Sequence, residues 1–477
     1  MKTTLRKLTA AWSLVIFLIL PALTRAETAV QTWVQRYNGP GNGDDGAYRV
    51  AVDSSGNVIV TGYSTGSSSG QDYATIKYSS AGVPLWTNRY NGPGNNDDNP
   101  GAVAVDGSGN VIVTGSSGGD YLTIEYSSAG MPLWTNRYHG PGNGYYDGAN
   151  ALSVDSSNNV IVTGYSYGGI SDDYATIKYS SAGVPLWTNR YNGTIWNGQN
   201  LAFAVAVDGN NDVIVTGYST DSIGYWHYAT IKYSSAGMPL WTNSYKGPGN
   251  SLDQPLAVAV DGSNDVIVTG SSGPPQNSYD YLTIKYSSAG VPLWTNRYNG
   301  PGNGMDEAFA LAVDGSNNVI VTGYSTGSGG QYDTDYATIK YSSAGVPLWT
   351  NLYNGPVNWD SAASAVAVDR SGNVIVTGNS ASTNVYPYSS DFSSDFATVK
   401  YICVPSPVVT GLQLTNAAFQ VRVDDMLQPG TLVIEASTNL AGWAPVFTNT
   451  TPTNVLFYTD PDARNLPMRF YRAFQFP

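Results

Sequence analysis

Seven near-copies of one phrase run along the chain, and no other feature restricts the fold as much. VIVTG begins at Val58, Val111, Val160, Val213, Val266, Val319 and Val374. A tryptophan in a PLW-type segment recurs at Trp33, Trp86, Trp134, Trp187, Trp241, Trp294 and Trp349, at spacings of 53, 48, 53, 54, 53 and 55 residues. A repeat of about 50 residues holding several strands has the period of a propeller blade.

Each unit reads as four strands. The AVAVD-type strand is small and apolar and suits a crowded centre. VIVTGYS is β-branched, DYATIKY alternates, and PLWTNRY carries a Trp large enough to fill space between blades. The third residue after the first-strand Asp is Gly56, Gly109, Asn158, Asn211, Asn264, Asn317 or Gly372. Gly and Asn tolerate a left-handed backbone best, as a tight hairpin requires. The turn between the third and fourth strands, SSAG, also ends in Gly, as at Gly82 and Gly130. The repeated lysines, Lys77 and Lys178 among them, read as solvated strand positions.

The order of the pieces predicts a closure. An orphan fourth strand surrounds Trp33, and the last repeat stops after its third strand at Tyr401. Residues 31–37 are therefore expected to pair with 396–401, removing two open sheet edges. The expected fold is all-β: a seven-bladed β-propeller closed by an N-terminal strand, followed by a small β-sandwich. Its expected divisions are a signal peptide over 1–26, the propeller over 27–402 and the sandwich over 403–477. MKTTLRK and LTAAWSLVIFLIL have the pattern of an exported leader, with TRA ending at Ala26 before the cut. The mature chain is expected to be secreted or at the cell surface, monomeric, and without a membrane span. A lone cysteine, Cys403, leaves no intramolecular disulfide to form. Charged residues are 12%, against roughly 25% in ordinary domains. The net charge of −13 argues against a nucleic-acid partner, which would need a basic face.

VDSSGNVIVTGYS and DYATIKYSSAG resemble the bacterial β-propeller repeat family called SBBP, over about residues 29–401. The resemblance implies a propeller in an exported protein and no defined activity. IEASTNLAGW, FYTDPDA and RFYRA look like a small β-domain ending many secreted proteins of Verrucomicrobia-type bacteria. Gly82-Val-Pro-Leu-Trp86 is similar to the Gly-x-x-x-Trp docking motif of bacterial quinoproteins, but lacks its preceding Asp and Thr. Ser79-Ser-Ala-Gly82 lacks the Asp of the sialidase turn. Neither cofactor binding nor sialidase chemistry is expected.

Function is sought on the face that carries the variable loops, from STGSSSGQ to SASTNVYPYSSDFSSD. Tyr225, Trp226 and His227 in one of them suit stacking on a sugar or contact with a protein. Eight residues before the first-strand Asp stand Asp45, Asp98, Asp147, Asn200, Asp253, Asp306 and Ser361, with Asp360 adjacent to the last. Sevenfold geometry would gather these carboxylates around the channel mouth as a cation or polar-ligand site. The alternative is that each accepts N–H bonds from its own loop. The calcium pattern D-x-D-x-D-G is absent, so no metal site is expected. Two histidines, His139 and His227, lie on different repeats without a triad pattern. No catalytic residue is identified. The sequence thus points to a non-catalytic binding or scaffold protein with a glycan or protein ligand. Its alternative is a secreted polysaccharide hydrolase or lyase using acids and tyrosines on the same face.

Overall fold

A computed structural model describes residues 33–142, 146–193, 198–248, 251–274, 278–328, 333–356, 360–369, 371–381, 394–401, 408–415, 418–424, 431–439, 443–450, 455–462 and 470–476. The expected signal peptide lies outside them. The described chain is all-β, and no helix in it is long and apolar enough to cross a membrane. It divides into two compact units, one spanning Val30–Lys400 and the other containing Tyr401–Pro477.

The larger unit consists of six four-stranded antiparallel sheets and a three-stranded one, each built from strands in sequence order. The first sheet has the inner strand Asp45–Val52, then Val58–Thr65 and Gln71–Tyr78, and the outer strand Pro84–Tyr90. The seventh holds Ser361–Val368, Val374–Ala381 and Ser394–Tyr401. Each inner strand packs on the inner strand of the next sheet. This is a β-propeller arrangement.

The inner hairpin shows why the Gly/Asn column exists. Its residue has φ of 76° at Gly56 and 61° at Asn158. The preceding Asp caps the turn: Asp53 Oδ1 accepts the Ser55 and Asn57 amides, each at 2.9 Å. Asp53 Oδ2 also meets Lys77 Nζ at 3.0 Å. Burial alone would raise the Asp53 pKa, but bonds from Asn57, Lys77 and Ser55 hold it down at about 2. The solvated reading of the lysines is thereby corrected. Lys77 and Lys178 are each 3% exposed, because the next sheet covers the strand face that a single strand would leave open. Desolvating an ammonium requires a partner, and Asp supplies it.

Adjacent sheets are stapled by the outer-strand Trp. Trp86 Nε1 donates to Ser128 O at 3.2 Å, and its ring lies 6.1 Å from Tyr126. The turn glycine beneath it is doubly constrained. Gly130 has φ of 85°, and a Cβ there would come within 2.9 Å of the Trp86 ring. Gly-x-x-x-Trp is thus a packing device, and each glycine meets the Trp of the preceding sheet.

The N-terminal closure takes a different form from the one expected. Trp33 lies 6.2 Å from Tyr78, and Tyr37 bonds Arg89, so the segment occupies an outer-strand position beside the first sheet. Among the described residues, however, 33–37 form no strand, and the seventh sheet has three strands. Among the described residues, the inner strands of the first and seventh sheets do not pack on each other as the others do. Val50 and Val52 are consequently 45% and 59% exposed. The segment is held by side chains on one side and lacks backbone pairing on the other.

In the smaller unit, two three-stranded sheets are formed. Val421 and Val423 from one meet Leu432 and Ile434 from the other in one apolar cluster.

Candidate functional site

The predicted carboxylates are used within their own sheets. Asp45, Asp98, Asp147, Asp253 and Asp306 each accept an amide from the preceding loop glycine, at 2.7, 2.6, 2.7, 2.7 and 2.7 Å. The last four of them are at most 1% exposed. They anchor their own loops, and among the described residues the last four are closed off from solvent. Asp360 Oδ1 instead accepts from Thr334 Oγ1 of the neighbouring sheet at 3.4 Å.

Around His227 the structure is also self-contained. His227 Nε2 meets Asp221 Oδ2 at 2.9 Å, and Lys246 reaches the same oxygen at 3.2 Å. Partial burial opposes ionisation of Asp221, yet bonds from His227, Tyr225, Ile223 and Lys246 hold it well below the usual carboxylate range. Trp226 stacks on Tyr218 at 4.5 Å and 10°, so one of its faces is spent on the protein. Tyr225 is half-buried beside it. His139 Nδ1 lies 2.8 Å from Asp120 Oδ1 and 4.0 Å from Asp147 Oδ2, the one three-residue grouping with metal-ligand spacing among the described residues. Arg137 and Gly140 already engage those carboxylates.

The variation that matters lies on the inner strands. Each carries a β-bulge, with one residue skipped in the pairing register: Tyr48, Gly101, Asn150, Phe203, Leu256, Phe309 or Ser364. Bulges re-aim side chains and are concentrated at functional rims. Here the bulged residue takes six identities in seven copies while its flanks repeat. Aromatic examples rest on second-strand tyrosines: Tyr48 on Tyr63 at 5.4 Å, Phe203 on Tyr218 at 5.7 Å, and Phe309 on Tyr324 at 5.6 Å.

One of these positions opens a cleft. Gly101 lies so close to the third sheet that a Cβ would come 2.5 Å from Ala149 O. With no side chain there, a space of about 360 Å³ remains, bounded by Tyr48, Arg49, Asn99, Ser116, Asn150 and Tyr165. Arg49 is the anomaly. The equivalent residues are Ala102, Ala151, Ala204, Ala257, Ala310 and Ala365. Its Nη1 donates to Tyr48 O at 2.9 Å, and among the described residues no carboxylate pairs with it. The lining holds an arginine, two phenols and two amides, with no carboxylate or imidazole. It can bind an anion, and its two phenols, whose pKa values burial raises, are the groups able to donate a proton. The sequence reading missed Arg49, although an alignment of the seven copies displays it as one cation in a column of alanines.

No family model matches the chain. A curated WD repeat-containing protein of Acanthamoeba polyphaga mimivirus, itself uncharacterized, is 26% identical over 122 residues. That match covers 22% of this chain and 8% of the relative. Among solved structures, Sqt1 from Chaetomium thermophilum aligns at 11% identity with a TM-score of 0.47, covering 80% of this chain and 94% of that one. A Lactobacillus plantarum protein aligns at 10% and 0.43, covering 84% and 99%. A polysaccharide lyase, an ulvan lyase bound to saccharide, aligns at 10% and 0.45, covering 78% and 94%. All three scores lie below 0.5. The propeller assignment rests on the sheets themselves.

Proposed function

We propose that this chain is an exported, non-catalytic binding protein that holds an acidic glycan in the cleft at Tyr48 and Arg49. The observation that carries this reading is Arg49, a guanidinium with no carboxylate partner among the described residues, at a position that is otherwise always alanine, beside a cleft of about 360 Å³. Clefts of roughly 300–1,000 Å³ suit small ligands, whereas a protein partner needs about 800 Å² of matching surface on each side. Phenol rings, amides and one fork-shaped cation suit a sugar that bears a carboxylate or sulfate.

The finer architecture belongs to the same proposal. The repeats are SBBP-type and the blades number seven. The segment 33–37 stands in the place of the seventh blade's outer strand, held there by Trp33 and Tyr37, and the smaller unit is a sandwich. Secretion follows from the leader pattern. An array of acidic and neutral oligosaccharides tests the binding reading. Acidic sugars are expected to be retained, and retention should fall at least tenfold in Arg49→Ala. Absence of retention for every sugar would remove the glycan reading.

A further inference from the structure

In four of the sheets the second, third and outer strands share a second recurring network. Arg89 Nη2 donates to Ser64 O at 3.0 Å and to Asp72 Oδ2 at 2.8 Å, and its Nη1 reaches Ser64 Oγ. Arg190 makes the same three bonds to Ser166 O, Ser166 Oγ and Asp173 Oδ2, at 2.7, 2.7 and 2.9 Å. Arg297 repeats them on Ser272 and Asp280. Arg137 repeats them on Ser117 and Asp120. Four sheets therefore hold a guanidinium on one serine and one aspartate.

Two sheets have lost the arginine, and they differ. In the fourth, Ser244 replaces it and His227 replaces the aspartate, so both halves of the pair changed together. In the sixth, Leu352 replaces the arginine while Asp335 and Ser325 remain. The register is unaltered. Ser325 still faces Asp335, and Leu352 still faces Ala337, as Ser64 faces Asp72 and Arg89 faces Ala74. Asp335 is 5% exposed, and among the described residues no cationic side chain pairs with it, unlike Asp72, Asp120, Asp173 and Asp280. Burial and the nearby charge of Asp333 push its pKa up to about 6. Leu352 is 44% exposed, so displacing its side chain unpacks no core.

We propose that the vacated arginine position of the sixth sheet is a binding site for an external guanidinium, held by Asp335 and by the hydroxyl and carbonyl of Ser325. The acceptor geometry is not hypothetical, since the same set binds a guanidinium in four sibling sheets. A buried carboxylate without a cation carries an unmet desolvation cost, which a planar donor fork relieves in a way that a leucine cannot. The guanidinium can come from a free small molecule or from an arginine side chain displayed by another protein.

The test is thermal unfolding of the full chain at constant ionic strength with millimolar methylguanidinium, methylammonium, or a capped Gly-Arg-Gly peptide. A ligand that binds only the folded state raises Tm saturably. Methylguanidinium should raise it, with methylammonium at least tenfold weaker. Asp335→Asn should weaken the response at least tenfold. Leu352→Arg, which fills the site internally, should abolish it and raise the starting Tm. A peptide response tighter than that of methylguanidinium identifies a displayed arginine as the ligand, and the reverse identifies the free molecule. No response in the wild type, or an equal response in Leu352→Arg, overturns the proposal. Should Leu352→Arg fail to fold, an undiminished response in Asp335→Asn overturns it equally.

Discussion

The Tyr121 hydroxyl crosses from one sheet to the next and donates to Ala175 O at 3.1 Å. Tyr174, Tyr228, Tyr281 and Tyr336 repeat this bond. Tyr73 occupies the same position, but among the described residues its buried hydroxyl has no hydrogen-bond partner. A net hydrogen bond contributes about 0.5–1.5 kcal/mol. Tyr121→Phe should lower unfolding free energy by that amount in urea titrations, near the low end because Thr163 Oγ1 also serves Ala175 O at 3.2 Å. Tyr73→Phe should cost measurably less.

Glu125 breaks the lysine column. Lys77, Lys178, Lys232, Lys285 and Lys340 each meet an Asp within 2.7–3.0 Å. Glu125, 2% exposed, instead faces Asp106 and shares the Asn110 amide with it. Burial and the Asp106 charge raise its pKa. Glu125→Lys should restore the pair and stabilise the chain by on the order of 1–3 kcal/mol at pH 7. The gain should shrink as pH falls and Glu125 is protonated. Lys178→Met, which strands Asp155 in a buried site, should cost about 3–5 kcal/mol.

Asp335 makes stability depend on pH in a definite direction. Its folded pKa, about 6, lies above the ordinary 3.8. Its neutral form is therefore compatible with folding at low pH, and the penalty grows as pH rises through that interval and levels off above it. Asp335→Asn should match wild-type stability near pH 4 and exceed it by on the order of 1–3 kcal/mol at pH 8. Equal pH profiles for the two proteins would refute the assignment.

Deleting residues 27–38 removes Trp33 from Tyr78 and Tyr37 from Arg89. The proposed closure predicts a fall in Tm of several degrees. Melting identical to that of the intact chain would show that the segment contributes no blade.

The hairpin turns were legible in sequence because one backbone requirement, positive φ at Gly56 or Asn158, restricts residue choice directly. Lys77 was misread because strand alternation reveals only faces, and it takes the next sheet to bury one. Asp147 resembled a ligand residue because repetition alone does not show which way a carboxylate points, and its bond to Gly140 does. The bulge at Tyr48 was hidden for a related reason. An inserted residue breaks the period of two, so a small-residue strand looked regular where its pairing skips. Arg49 and Leu352 stood in plain view as departures from their columns. Comparing the copies for difference, and not for likeness, would have found both.

The binding reading turns on whether Arg49 holds an acidic sugar. Isothermal titration with a uronate oligosaccharide and its neutral counterpart tests it directly, in the wild type, Arg49→Ala and Asp45→Asn. Binding of the acidic sugar is expected, with at least a tenfold loss in Arg49→Ala and no loss in Asp45→Asn, since Asp45 serves its own loop through Gly39. Equal affinity for both sugars, or an acidic sugar bound undiminished by Arg49→Ala, would contradict it.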